Sequence, residues 1–367
     1  MTPMTFVYLI IGLALLVVGA ALLRRAAAGL ATQWGLPARY IDLCGRTLGT
    51  TAPLLAVCLQ AVLGERGDLA VGAVLGGTVA NVLLVLGSTA LLAPLWVWPA
   101  LLRQELPCMV GSGLLALALA WDGSLSRLDG ALLLGMALGY TGLLIRSGQW
   151  TPQVTPKPAA RAWPMALLLL AAGIALLAGG AYLLVGGAIQ LSRALGLSEL
   201  LIGLTLVAVA TALPLLVSSW LAALGGERGA VVSSTVGATV INLSWVLGLS
   251  ALVSPWPLSV SPNALAVDFP VMIAVTLACL PLLLASESLR RWQGLLLLAY
   301  YATYVLYLAV FATGRPYAQA FAHGLQWYLL PATALLLLVL GVRAWRRRTR
   351  SGANAGSASV GRDGPQG

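Results

Sequence analysis

The sequence predicts an all-α, polytopic membrane protein: an inverted repeat of five plus five transmembrane helices with one extra C-terminal helix. Three observations predict it. Apolar runs of about 20 residues recur along the chain. Only 9% of residues are charged, and one pair of motifs is written twice at a fixed offset. A run of ~20 residues rising ~1.5 Å each crosses a ~30 Å hydrocarbon core. A soluble domain carries roughly 25% charged residues. At 60% hydrophobic and a mean hydropathy of +0.93, this chain of 367 residues could not cover itself in water. A β-barrel would show ~10-residue alternating segments, and none appear.

In chain order, the spans fall at 5–23, 41–63, 69–98, 106–121, 128–146, 164–191, 198–224, 230–253, 267–285, 293–312 and 325–344. The first reads as a retained helix rather than a signal peptide, because Arg24 and Arg25 follow it and no basic segment precedes it. The second and third carry the first copy of the repeat: GTTAPLL at 49–55, then GAVLGGTVANVLLVLG at 72–87. The seventh and eighth carry the second: ATALPLL at 210–216, then SSTVGATVINLSWVLG at 233–248. Pro53 and Pro214, Gly76 and Gly237, Asn81 and Asn242, and Gly87 and Gly248 each stand 161 residues apart. The lead-in helices keep that offset, pairing Gly19 with Gly180 and Gly35 with Gly196. A repeat this long in a membrane chain marks a transporter-type fold with its site where the copies meet.

The segment from 148 to 164 is polar and carries Pro152, Pro156, Pro158 and Pro164. It divides the chain into a first repeat at 1–147, a linker at 148–163 and a second repeat at 164–313. An unpaired span with a basic segment follows at 314–350, then a Gly/Ala/Ser-rich tail at 351–367 expected to be disordered. Five spans per half is an odd number, so the second half enters the membrane in the opposite sense, about a pseudo-two-fold axis in the membrane plane.

Lys and Arg orient the bundle. With the N-terminus outside, the cytoplasmic segments hold Arg24, Arg25, Arg39, Arg103, Arg146, Lys157, Arg161, Arg228, Arg290, Arg291 and the arginines at 343–350. The outer loops hold Arg66, Arg127, Arg193 and Arg315. The expected location is therefore the cell membrane, multi-pass, N-terminus out and C-terminus cytoplasmic. The net charge of +10 is spread this way rather than gathered on a groove for phosphates, so nucleic acid is not a partner. The partners expected are the lipid bilayer and a small inorganic ion or solute, with a membrane-protein partner left open. The four cysteines, Cys44, Cys58, Cys108 and Cys279, have no metal or disulfide spacing. A single histidine, His323, gives no catalytic or metal cluster. No enzyme activity, cofactor or resident metal is expected.

The motif residues carry the chemistry. Pro53 and Pro214 cannot donate to the carbonyl four residues back, which releases the C=O of Gly49 and Ala210. At membrane depth a released carbonyl must find protein, water or an ion. Thr50, Thr51 and Thr211 add hydroxyls on the same turn. Thr78 and Asn81 are three apart and share a face, as do Thr239 and Asn242. Gly72, Gly76 and Gly77, with Ser233, Ser234, Gly237 and Ala238, keep that face small. Taken singly, a proline is a kink, small residues are packing, and threonine hydroxyls bond their own helix. The paired set, in register across both halves, argues for a central cavity.

This pattern resembles the sodium/calcium exchanger family, within the cation/calcium antiporter superfamily, over roughly residues 5–312. Members carry GTSxPEL in spans 2 and 7 and GNxxGSNxxN in spans 3 and 8. Gly49, Thr50, Pro53, Thr211 and Pro214 match the first motif, and Gly72, Gly76, Asn81, Gly237 and Asn242 match the second. The resemblance implies the inverted five-plus-five fold and a central ion site. The family's acidic ligand follows the motif proline, but here that position is Leu54 in one copy and Leu215 in the other. Its serine is Thr51 and Ala212, and its neighbouring asparagines are Ala73 and Thr78, then Ser234 and Thr239. Calcium affinity depends on ligand charge, so the loss of both acids argues against calcium exchange in the family manner.

The site residues expected are therefore Gly49, Thr50, Thr51, Thr78, Asn81, Ala210, Thr211, Thr239 and Asn242. Span 2 also carries Asp42 and Arg46, where span 7 has Gly203 and Val207. These two form an interfacial pair, or else Arg46 sets a fixed positive charge beneath the cavity. Three functions follow. One is a secondary transporter re-specified for a monovalent cation or other solute. The second is a non-transporting exchanger-like scaffold. The third is a sodium/calcium antiporter, which would need acids from elsewhere, and Glu105 and Asp268 are the symmetric pair in range. A transporter keeps a water-lined cavity with freed carbonyls at Gly49 and Ala210; in a scaffold Leu54 and Leu215 meet and fill the centre.

Overall fold

A computed structural model describes residues 3–33, 38–98, 101–147, 163–284 and 288–312. Residues 148–162 of the linker, the expected eleventh span and the tail lie outside the described residues, as do the side chains of Asp42 and Arg46. Ten helices form among the described residues, one on each of the first ten expected spans. They are α1 (Pro3–Gln33), α2 (Ala38–Leu63), α3 (Gly67–Leu92), α4 (101–119), α5 (Arg127–Ser147), α6 (Trp163–Leu195), α7 (Glu199–Leu224), α8 (Arg228–Val253), α9 (264–284) and α10 (Arg291–Ala312). Among the described residues, eight are long and apolar enough to cross a membrane. The other two are α4 and α2, whose described apolar stretch is Gly49–Leu63. The third expected span, 69–98, is shorter as a helix. α3 stops at Leu92 because Ala93 turns extended ahead of Pro94, as a residue before proline must.

Two short antiparallel ribbons cap the bundle. β1 (Leu95–Trp96) pairs with β4 (Ser288–Leu289), and β2 (Ser124–Leu125) pairs with β3 (Leu258–Ser259). Exposed tryptophans ring the two ends: Trp121 and Trp256 beside β2 and β3, and Trp96, Trp98, Trp163 and Trp292 at the other end. This is the aromatic belt of a membrane-embedded bundle.

The halves are related by contacts that cross over. A Cβ on Gly12 would lie 2.9 Å from the Gly180 carbonyl oxygen, and one on Gly19 3.0 Å from the Gly173 carbonyl oxygen. Gly12 matches Gly173 in the repeat, and Gly19 matches Gly180. Each glycine therefore meets the counterpart of the other, which only a two-fold relation produces. The early part of α1 meets the late part of α6, so these equivalent helices run antiparallel. Gly87 with Gly294 and Gly130 with Gly248 repeat the crossed pattern, as do the two ribbons. Without a hydrophobic drive inside lipid, such small-residue contacts hold helices together by close packing. The most buried of the eight spanning helices is α3, with 94% of its central window covered, while α1 and α6 are peripheral at 28% and 33%.

Candidate ion-binding site

Both motif prolines sit inside continuous helices, Pro53 in α2 and Pro214 in α7. Both asparagines sit in π-helical turns, Asn81 in Ala80–Val85 and Asn242 in Asn242–Val246. Such turns insert a residue into the helical ladder and mark functional positions. Where α2, α3, α7 and α8 converge there is a cavity lined by Thr50, Leu54, Gly77, Asn81, Thr211, Ala212, Leu215, Ala238 and Asn242. Eight of the nine form four symmetry pairs: Thr50 with Thr211, Leu54 with Leu215, Gly77 with Ala238, and Asn81 with Asn242. Its volume of about 10 Å³ matches one water-sized sphere.

The lining mixes neutral oxygens with apolar groups. Asn81 and Asn242 are buried, and Asn242 Oδ1 has no hydrogen-bond partner among the described residues. A buried amide oxygen left unpaired costs roughly 1–3 kcal/mol, so this oxygen is free to accept from water or to ligate a cation. Thr211 donates its hydroxyl to the carbonyls of Val207 and Ala208, at 2.9 and 3.2 Å, which leaves its oxygen to face the cavity as an acceptor. Leu54 and Leu215 are each 2% exposed and belong to separate buried clusters, so the space between them is not closed by their contact.

Five of the expected site residues do not line the cavity: Gly49, Thr51, Thr78, Ala210 and Thr239. The reason is helical phase. The facing stripe runs Thr50–Leu54 and Gly77–Asn81, four apart, and Thr78 lies about 100° round from Gly77. Thr239 donates to the Thr235 carbonyl at 2.9 Å within its own helix. Gly49 is covered by the Arg24 stem, with Cδ 3.0 Å from where a Cβ would stand. Gly77, Ala212 and Ala238 line the cavity but carry no polar side-chain atom by which a chemical reading could find them. The acids do not line it either. Both Glu105 oxygens accept from the Ser233 hydroxyl at 3.0 Å, and Asp268 accepts from Tyr304 at 3.3 Å. Among the described residues no group of three or more His, Cys, Asp or Glu could hold a metal ion.

An inverted-repeat bundle with π-helical turns and polar residues at its centre defines a membrane transporter rather than an enzyme. The sodium/calcium exchanger protein family model matches residues 4–146 and 165–310, and the chain belongs to that family. The inner membrane protein YrbG of Escherichia coli (strain K12) is 34% identical over 279 residues, 73% of this chain and 85% of that protein. The sodium/calcium exchanger MaX1 of Methanosarcina acetivorans is 26% identical, covering 84% of this chain and 99% of MaX1. Among solved structures, the sodium-calcium exchanger NCX_Mj soaked with Na⁺ and Sr²⁺ superposes with a TM-score of 0.59 at 26% identity, covering 83% of this chain and 99% of that one. The H⁺/Ca²⁺ exchanger CAX superposes with a TM-score of 0.72 over 95% of this chain and 92% of its own, at 14% identity, a likeness of fold alone. The chain is therefore a multi-pass membrane protein of a family whose members move small inorganic ions.

Proposed function

We propose that this chain is a secondary transporter of the exchanger type whose central site has been re-specified for a monovalent cation or another small solute of low charge. The observation that carries the reading is the lining of the central cavity. Thr50, Thr211, Asn81 and Asn242 line it, Asn242 Oδ1 has no partner among the described residues, and leucines stand after both motif prolines. Each missing carboxylate forfeits about 4 kcal/mol of attraction per unit charge at 4 Å and an effective dielectric of ~20. A divalent ion loses twice that per carboxylate and holds its water more tightly. A monovalent ion loses less and sheds its water more cheaply, so neutral oxygens suit it better. The repeat boundaries at 147 and 164 and an N-out, C-in orientation belong to the same proposal.

A second reading, a non-transporting exchanger-like scaffold, draws on the smallness of the cavity and its two leucines. A third, the sodium/calcium antiporter suggested by the names of the relatives, lacks an acidic ligand in the cavity lining. Ion flux in proteoliposomes under imposed Na⁺, K⁺, Ca²⁺ and H⁺ gradients separates the three. The proposal expects sodium or potassium flux with no calcium flux. Calcium flux would restore the antiporter, and silence under every gradient would leave the scaffold.

A further inference from the structure

π-helical turns make up well under 1% of residues in ordinary proteins and cluster at functional positions. Five occur among the described residues, and four of them form two symmetry pairs. The pair at Ala80–Val85 and Asn242–Val246 supplies the cavity asparagines. The other pair is Leu101–Glu105 and Ala264–Asp268, and each member ends on an acid. Neither acid lines the central cavity.

Each acid meets a tyrosine from the fifth helix of its own half. Tyr304 of α10 donates to Asp268 at 3.3 Å, and Tyr140 of α5 is within hydrogen-bonding reach of Glu105. Tyr140 and Tyr304 stand at matching positions, both buried, at 2% and 5% exposure. The titratable groups facing Asp268 are Tyr304 and Tyr307 of α10, and among the described residues α3 and α4 bring no charged group to it. Facing Glu105 are Tyr140, the Ser233 hydroxyl of α8 and Cys108 of its own helix.

A divalent metal takes roughly six to eight oxygen ligands, which one carboxyl and its hydroxyls do not supply. A proton needs one oxygen. Asp268 is 3% exposed and meets the phenol of Tyr304 on α10 as its polar partner. The phenol donates to the carboxylate and accepts from the acid, so the pair keeps its hydrogen bond in either state. Asp268 begins α9 at the end carrying Trp121, and Glu105 begins α4 at the end carrying Trp98. We propose that Asp268–Tyr304 and Glu105–Tyr140 are paired proton-binding sites, one toward each membrane face, that couple proton movement to the cargo of the central cavity. The coupling half of this proposal rests on the transporter reading. The step is proton transfer from water to a carboxylate oxygen at one face and back to water afterwards, with no other bond made or broken.

Infrared difference spectroscopy of the reconstituted full-length chain reads the bound proton through the C=O stretch of a protonated carboxyl, with no cation gradient imposed. We expect a pH-dependent band that Asp268→Asn removes and Tyr304→Phe moves in frequency. Vesicles enclosing a pH-sensitive dye then read coupling. A sodium or potassium gradient is expected to move protons in the unmodified protein. Asp268→Asn and Glu105→Gln should each lose that movement while keeping cation-dependent thermal stabilisation. Folded Asp268→Asn and Tyr304→Phe proteins with unchanged spectra overturn the proposal. Equal proton movement with and without the acids overturns the coupling. If the unmodified protein moves no cation, the transporter reading falls with the coupling, and the infrared band still decides whether Asp268 holds a proton.

Discussion

A Cβ placed on Gly76 would lie 2.3 Å from the carbonyl oxygen of Leu204 and 2.6 Å from its Cα. One turn earlier, Gly72 stands in the same relation to Leu200, at 2.5 Å, and Gly203 meets the Leu69 carbonyl at 2.6 Å. Backbone therefore touches backbone where α3 crosses α7, and the cavity one turn further on depends on that approach. Gly76→Ala pushes the helices apart, and overpacking of this kind costs about 1–3 kcal/mol. The melting temperature in detergent should fall. Gly135→Ala is the control, because nothing lies within 4 Å of that position. Equal melting of the two variants would mean that α3 and α7 separate freely.

Helices α2 and α7 end in the same turn. The amide of Arg66 bonds the Ala61 carbonyl at 2.9 Å, and that of Glu227 bonds the Ala222 carbonyl at 2.8 Å. Both are the six-to-one bond of a left-handed C-terminal cap. The residue that must adopt positive φ is Gly226 in one half, at 89°, and Glu65 in the other, at 60°. A left-handed non-glycine residue costs roughly 1–2 kcal/mol. Gly226→Ala should therefore destabilise the protein by about 1 kcal/mol. Glu65→Gly relieves strain but loosens the unfolded chain, so thermal melting should show no loss. A clear loss in Glu65→Gly would mean that its side chain, not its backbone, secures the turn.

Eight of the ten helices were legible from hydrophobic length alone, and the two-fold because Pro53, Gly76, Asn81 and Gly87 recur at one offset. Half of the cavity was legible too. Thr50, Asn81, Thr211 and Asn242 carry polar atoms at motif positions and converge in the structure. Thr78 and Thr239 misled, since a spacing of three from the asparagines also suits one helix face. Gly77 and Ala238 were visible only as small residues of that face, and Ala212 only as a departure from the family's serine. The π turns were invisible, because an inserted residue in the ladder has no compositional mark. The symmetry of Glu105 and Asp268 was visible in the numbering, but their tyrosines follow 35 or 36 residues later and are joined to them only by tertiary packing.

Orientation follows from the arginines. Arg103, Arg146, Arg228, Arg290 and Arg291 fall at the end carrying Trp98, while Arg66, Arg127 and Arg193 fall at the end carrying Trp121. By the positive-inside rule the first end is predicted to be cytoplasmic. A cysteine at exposed Asp122 should react with an impermeant maleimide in intact cells. One at exposed Arg290 should react only after permeabilisation. The reverse pattern would turn the molecule over and place its N-terminus inside.

The central leucines allow a test in both directions. The unmodified protein should show no calcium-dependent rise in melting temperature at sub-millimolar ion, since binding to the native state alone raises stability by linkage. Leu54→Glu or Leu215→Glu alone places one carboxyl in a site 2% exposed and should destabilise the fold unless the acid is protonated. The double variant puts two acids beside the oxygens of Thr50, Asn81, Thr211 and Asn242, a set of the hard ligands calcium takes. It should melt lower than the parent without calcium and recover part of the loss with millimolar calcium. Arg46 lies one turn before Thr50 in the sequence and would neutralise one new glutamate if it reached it, so the series is repeated with Arg46→Ala. Calcium rescue in either background means that the two halves still hold an exchanger's geometry and that only the charge has been removed. Identical melting with and without calcium in both backgrounds would mean that the centre no longer opens to ions, and the scaffold reading would then replace the transporter.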